Sequence, residues 1–165
     1  MPNRKETLRR VMLTQSVPEA SKWLQENIHY SDFSNLKSPN KVIDDGSGSC
    51  HDQAALQKNI LKKMGKRANN MFFVEHNNRE NIGGATHTLT YYKDTDGKIY
   101  WLENSWGGQE GLHGPFNSVD DLKIHIRELH KKEPSAKRFP NMTFADGKKI
   151  KAGSSLATYV DQHLR

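Results

Sequence analysis

A single cysteine, Cys50, is present among 165 residues, which excludes an internal disulfide and any cysteine-rich zinc site. No run reaches the roughly 18 to 20 apolar residues that crossing a bilayer requires, so no membrane partner is expected. Residues 1–15 carry charges with no apolar block behind them and do not read as a secretory signal. The expected compartment is the cytoplasm, with export by another route left open. Internal repeats, low-complexity blocks and a linker long enough to divide the chain are also missing. Residues 1–165 are read as one domain, long enough to bury a real core.

Little of the chain is apolar, at 34%, while 27% is charged, so the surface must be very polar. The net charge of +6 invites a nucleic-acid reading. The basic residues are spread, however, over 4–10, 62–67, 131–138 and 148–151. They form no long basic helix and no DNA- or RNA-binding signature. A solvated basic surface is expected instead, with attraction to an acidic partner as a secondary expectation. The alternative to an enzyme is a non-catalytic basic module that binds nucleic acid or an acidic partner.

Ser16-Val17-Pro18-Glu19 reads as a capping box with proline in the first turn, followed by Ala20, Trp23, Leu24 and Ile28 at helical spacing. Residues 31–49 are polar and turn-rich, with Pro39, Gly46 and Gly48 as breakers. A second helix is expected to start at or just after Ser49. Its stripe is Ala55, Leu56, Ile60, Leu61 and Met64, and Gly65 stops it. Residues 71–74 suit a buried strand. Residues 85–92 and 98–102 suit a hairpin turning through Asp94-Thr95-Asp96-Gly97. Ser118 opens a third helix with Val119, Leu122, Ile126 and Leu129 on one face. Residues 134–155 are weakly patterned, and Leu156, Tyr159, Val160 and Leu164 suggest a terminal helix. Helices, then a strand group, then helix make an α+β chain.

Gly46-Ser47-Gly48-Ser49-Cys50-His51-Asp52 puts the only thiol in the first turn of the second helix. Unpaired N–H groups and the positive end of the helix dipole stabilise a thiolate there. A structural cysteine would sit in the apolar stripe near Leu56 or Ile60. A nucleophilic thiol needs a base, and the base needs an orienter. His87, on the first hairpin strand, is the candidate base, and the returning strand carries Glu103 and Asn104. Two-residue hairpin loops lead to Asn104 on the face of His87, whereas a three-residue loop leads to Glu103. The commoner two-residue loop favours Asn104.

Gly48-Ser49-Cys50, then Thr86-His87 on a strand, then Tyr100-Trp101-Leu102-Glu103-Asn104-Ser105-Trp106-Gly107 resembles the papain-like superfamily. Asn-Ser-Trp-Gly is similar to the run that carries the orienting asparagine of papain-type proteases. The short Cys-to-His separation resembles the transglutaminase-like branch instead, whose Gly-x-Cys-x-Asp-x-Ala motif reads here Gly48-Ser49-Cys50-His51-Asp52-Gln53-Ala54. The resemblance covers roughly residues 43–107. It implies a papain-like/transglutaminase-like core at about 43–130, with its catalytic helix on a small antiparallel sheet and a helical part before it. It also implies attack on an amide carbonyl of a protein or peptide through a thioester, with no cofactor: a protease, glutamine deamidase or transglutaminase. The branch usually has Asp in the third position, where this chain offers Glu103 or Asn104. Leu89 stands where an aromatic residue usually follows the histidine.

Asp52 is expected to serve the helix N-terminus rather than the chemistry. His51 reads as a poor base, because adjacent helical side chains diverge by about 100°. Trp106 is read as a shield over the histidine or as plain core. His76, His113, His125 and His130 lack metal-ligand spacing, so no metal is expected. The Gly83-Gly84, Gly107-Gly108 and 111–114 stretches read as loops that could rim a site.

Overall fold

Side-chain caps set the helices of the N-terminal third. The computed structural model describes residues 3–77 and 84–164, so Gly83 lies outside the described residues. Asn3 accepts from the Glu6 N–H and opens α1 (Arg4–Leu13). Ser16 accepts from the Glu19 N–H and opens α2 (Val17–Asn27), with Pro18 in the first turn. Trp23, Leu24 and Ile28 are buried, as their spacing predicts. Pro39, read as a breaker, instead begins a helix. Ser38 caps the Lys41 N–H, and α3 (Pro39–Asp45) runs until Gly46 turns left-handed at φ 68°. Proline suits a first helical position, where its missing N–H would have no partner anyway.

Two short strands, β1 (His29–Tyr30) and β2 (Ser47–Gly48), pair in parallel and hold the segment that leads into α4 (Cys50–Lys63). Gly65 leaves that helix at φ 80°, where a side chain would be strained. The main sheet comprises β3 (Arg67–His76), β4 (Thr86–Lys93), β5 (Ile99–Glu103), β6 (Gly111–Phe116) and β7 (Asn141–Asp146). Its order is β6-β5-β4-β3-β7, with every neighbour antiparallel. Two further helices, α5 (Val119–Lys131) and α6 (Leu156–Leu164), complete an α+β architecture. Among the described residues there are six α-helices, and none is long and apolar enough to cross a membrane.

Alternation along the strands separates two cores. Ala68, Tyr92 and Leu102 face α4 and pack with Leu56, Ile60 and Leu61, together with Trp23 and Leu24 of α2. Met71, Phe73, Leu89 and Trp101 face the other way, onto Leu122 and Ile126 of α5. A third cluster joins Phe72 and Val74 to Leu36 and to Tyr159 of α6. Strand β7 arises within 134–155, where no strand was expected. Its Met142 and Phe144 join the α5-side core.

The β4–β5 hairpin overturns the two-residue loop. The Asp94 N–H donates to the Lys98 carbonyl and the Gly97 N–H to the Asp94 carbonyl, both at 2.9 Å. Thr95, Asp96 and Gly97 therefore form a three-residue loop, with Gly97 in the left-handed region at φ 80°. Asp94 accepts from the Thr95 N–H and Asp96 from the Lys98 N–H, each at 2.8 Å, so both aspartates bond the wider loop from within. Tyr92 faces Tyr100 and Thr90 faces Leu102. In that register Glu103, not Asn104, shares a face with His87.

Candidate active site

The thiol is positioned by a helix start that the local sequence builds almost alone. Ser49 accepts from the Asp52 N–H, and its own N–H donates to Asp52 Oδ2 at 2.9 Å, closing a capping box one residue before Cys50. Asp52 Oδ1 also accepts from the Lys37 N–H at 2.7 Å. Asp52 thus serves the helix N-terminus and ties it to the preceding loop. Gly48 lies so close that a Cβ there would stand 2.9 Å from Asp52 Cβ, so a side chain would push the cap apart.

Strand β4 brings His87 to the thiol. Residues 90–93 of β4 pair with β5, but among the described residues no strand flanks 86–89 on that side. The N-terminus of α4 meets β4 along this open stretch: Cys50 engages His87, and His51 engages Thr88. His87 Nε2 lies 2.7 Å from Glu103 Oε1, which leaves Nδ1 for the sulfur. The Trp106 ring stands edge-on to His87 with centroids 5.8 Å apart and also meets Phe73 and Trp101. It covers the imidazole and belongs to the core at once.

Glu103 is an unusually well-held carboxylate. Its Oε2 accepts from the backbone N–H groups of Asn104, Ser105 and Trp106 at 3.1, 2.8 and 3.1 Å, and its Oε1 accepts from Trp101 Nε1 at 3.2 Å. The Asn-Ser-Trp-Gly run therefore acts through its backbone, as a nest for the Glu103 charge. Asn104 itself does not meet His87, which corrects the preference for it. Its side chain points to the opposite side of the sheet. There Nδ2 donates to the carbonyls of Leu24 and Ile28 and to Gln53 Oε1, the last at 2.8 Å. Gln53 in turn donates to the Gly48 carbonyl at 3.0 Å, so Asn104 braces the loop that carries the thiol. The physical reason is the three-residue hairpin loop, which reverses the parity of the returning strand.

Charge follows this geometry. Burial pushes the Cys50 thiol up, but the His87 charge and hydrogen bonds from His51 and His87 bring it down to about 6. Burial alone would lower His87. The Glu103 charge and the Cys50 thiolate outweigh it, and the imidazole is raised to about 10. Burial likewise favours neutral Glu103, yet His87 and the backbone N–H groups of Ser105 and Asn104 hold its carboxyl below the usual range. Between those limits the site holds a thiolate, an imidazolium and a carboxylate in a row. Cys50 is 8% exposed. Tyr30, 56% exposed, lies within the field of the thiol; partial burial, then the Cys50 and Asp32 charges, raise its phenol.

Thr88 and Tyr159, which line up behind His51, escaped the sequence reading, and His51 was weighed there only as a base. Only adjacency pointed to His51, and nothing local linked residue 159 to residue 50. Of the other histidines, His113 stacks on Trp101 with centroids 4.3 Å apart and lies 6.3 Å from His125, while His130 Nδ1 pairs with Glu75 Oε1 at 3.2 Å. Among the described residues no group of three or more potential ligands converges. Gly84 presses on the Glu75 backbone, and Gly111 and Gly114 belong to β6.

No family model and no curated protein matches the sequence. A solved structure from Cytophaga hutchinsonii, described as "a Putative Cysteine Protease", aligns with 93% of this chain at 13% identity and a TM-score of 0.43. The alignment spans 56% of that protein's own chain, a little over half its length.

Proposed function

We propose that this protein is a cysteine-dependent amide-processing enzyme with a papain-like or transglutaminase-like core, acting on a protein or peptide through a thioester. The observation that carries the reading is His87, held by Glu103 at 2.7 Å, acting on a thiol at a helix N-terminus. Cys50 Sγ attacks the amide carbonyl carbon, and the Cys50 backbone N–H supports the oxyanion that forms. The carbon–nitrogen bond then breaks as His87 passes its proton to the leaving nitrogen. Water, or an acceptor amine, attacks the thioester with His87 now taking the proton, and the Cys50 thiolate is released. Glu103 holds the ring in one orientation and stabilises its charge throughout. Water as acceptor gives a protease or a glutamine deamidase, and an amine gives a transglutaminase.

The test is alkylation of Cys50 by iodoacetamide as a function of pH, followed by a panel of peptide and glutamine-amide probes read by mass spectrometry. The expected inflection lies near the lowered value of about 6, well under the free-thiol value of about 8.5. An adduct on Cys50 should be lost in His87→Ala. An inflection at the free-thiol value, together with no acyl adduct, would sink the reading and leave the basic binding module in its place.

A further inference from the structure

Cys50 has a second imidazole neighbour that this mechanism does not use. His51 is 4% exposed and is enclosed by the rings of Phe33, Phe72 and Tyr159, at centroid distances of 5.7, 6.3 and 4.3 Å. Its Nδ1 lies 2.8 Å from Thr88 Oγ1, which in turn lies 2.7 Å from the Tyr159 hydroxyl. Its Nε2 lies 3.5 Å from Thr86 Oγ1.

Counting protons fixes the direction of this chain. Tyr159 is 4% exposed, and burial above all keeps its phenol protonated, so its one hydrogen needs an acceptor. Thr88 Oγ1 is the acceptor in reach. A threonine hydroxyl has one hydrogen of its own, and the neighbour left to receive it is His51 Nδ1. Nδ1 is then an acceptor, so the ring is neutral and carries its hydrogen on Nε2. That N–H has Thr86 Oγ1 at 3.5 Å and is the donor that remains for the Cys50 sulfur, the other hydrogen-bond partner of His51.

We infer that His51, fixed as its Nε2–H tautomer by the Tyr159–Thr88 hydroxyl pair, is a second hydrogen-bond donor to the reacting sulfur of Cys50. His87 moves the proton, and His51 holds the charge that the proton leaves behind. Thr88 and Tyr159 are positioning residues that act through His51, so helix α6 completes a site whose nucleophile lies far earlier in the chain. The inference rests on Cys50 being the nucleophile of the proposed function, but its test needs no substrate.

The experiment is ultraviolet titration of the thiolate, which reports one group because the chain has one cysteine. His51→Phe should raise the midpoint by about one pH unit, the tenfold change expected for a lost hydrogen bond to a charged group. His51→Gln, whose carboxamide offers an N–H, should restore most of it. Thr88→Val should raise the midpoint by less, because the ring can then adopt either tautomer. An unmoved midpoint in folded His51→Phe, or no rescue by His51→Gln, would overturn the inference. Nitrogen NMR of the unmodified protein stands apart from any folding defect: Nε2–H is expected for His51, and an Nδ1–H tautomer would overturn it. Absence of amide turnover would remove the proposed function and leave the midpoint comparison intact. Full turnover with unmoved midpoints would remove this inference alone.

Discussion

Glu103 and Asn104 are neighbours in sequence with opposite duties. Glu103→Gln removes the charge against His87 and sets a carboxamide among backbone donors that suit a carboxylate. We expect turnover to fall on the order of 100-fold or more, with the Cys50 alkylation midpoint moving up as the imidazolium loses its partner. Asn104→Ala touches no reacting group. It strips buried acceptors on α2 and α4 of their donor and should cost about 1–3 kcal/mol in urea unfolding, with the alkylation midpoint unchanged in the folded protein. Equal midpoint shifts in the two variants would contradict this division.

At the level of elements, the start of α4 and the β4–β5 loop control the site without touching substrate. Ser49→Ala removes one half of the capping box and should destabilise the protein by about 0.5–2 kcal/mol, measurable as a lower urea midpoint. Gly97 occupies the left-handed region at φ 80° with open space around it. Gly97→Ala should therefore cost about 1–2 kcal/mol of backbone strain alone. Gly97→Asn should cost less, since asparagine tolerates that conformation better. If Ala and Asn behave alike in thermal melts, the loop does not owe its form to this residue.

The whole molecule should feel the ion pair as a pH window of stability. Cys50 titrates lower when folded, so its contribution is full above the unfolded value of about 8.5 and is lost as pH falls through about 6. His87 titrates higher when folded, so its contribution is full below its unfolded value of 6.5 and is lost as pH rises through about 10. The stability difference between wild type and Cys50→Ala should thus be greatest around the unfolded thiol value of about 8.5 and decline on both sides, the decline being complete by about 6 and by about 10. A difference that is flat from about pH 5 to about pH 11 would mean that the two groups are not coupled.

Local chemistry made part of this protein legible in its sequence. Serine caps, apolar stripes and glycine stops place α2, α4 and α5 because each signal acts within a turn or two of the residue that carries it. The same holds for Cys50 at a helix start and for His87 on a strand. Hairpin parity was not legible, because two- and three-residue loops read alike in Asp94-Thr95-Asp96-Gly97 until their hydrogen bonds are seen, and one residue moves every later side chain to the other face. Strand β7 escaped notice because it is defined by pairing with β3 rather than by its own weak alternation. The sequence by itself therefore determined which residue is the thiol, where its helix begins and which histidine a strand could carry to it. Only the tertiary structure decided that Glu103 holds that histidine, that Asn104 braces the thiol loop, and that Thr88 and Tyr159 fix His51. Each of those contacts joins segments whose separation along the chain no local rule spans.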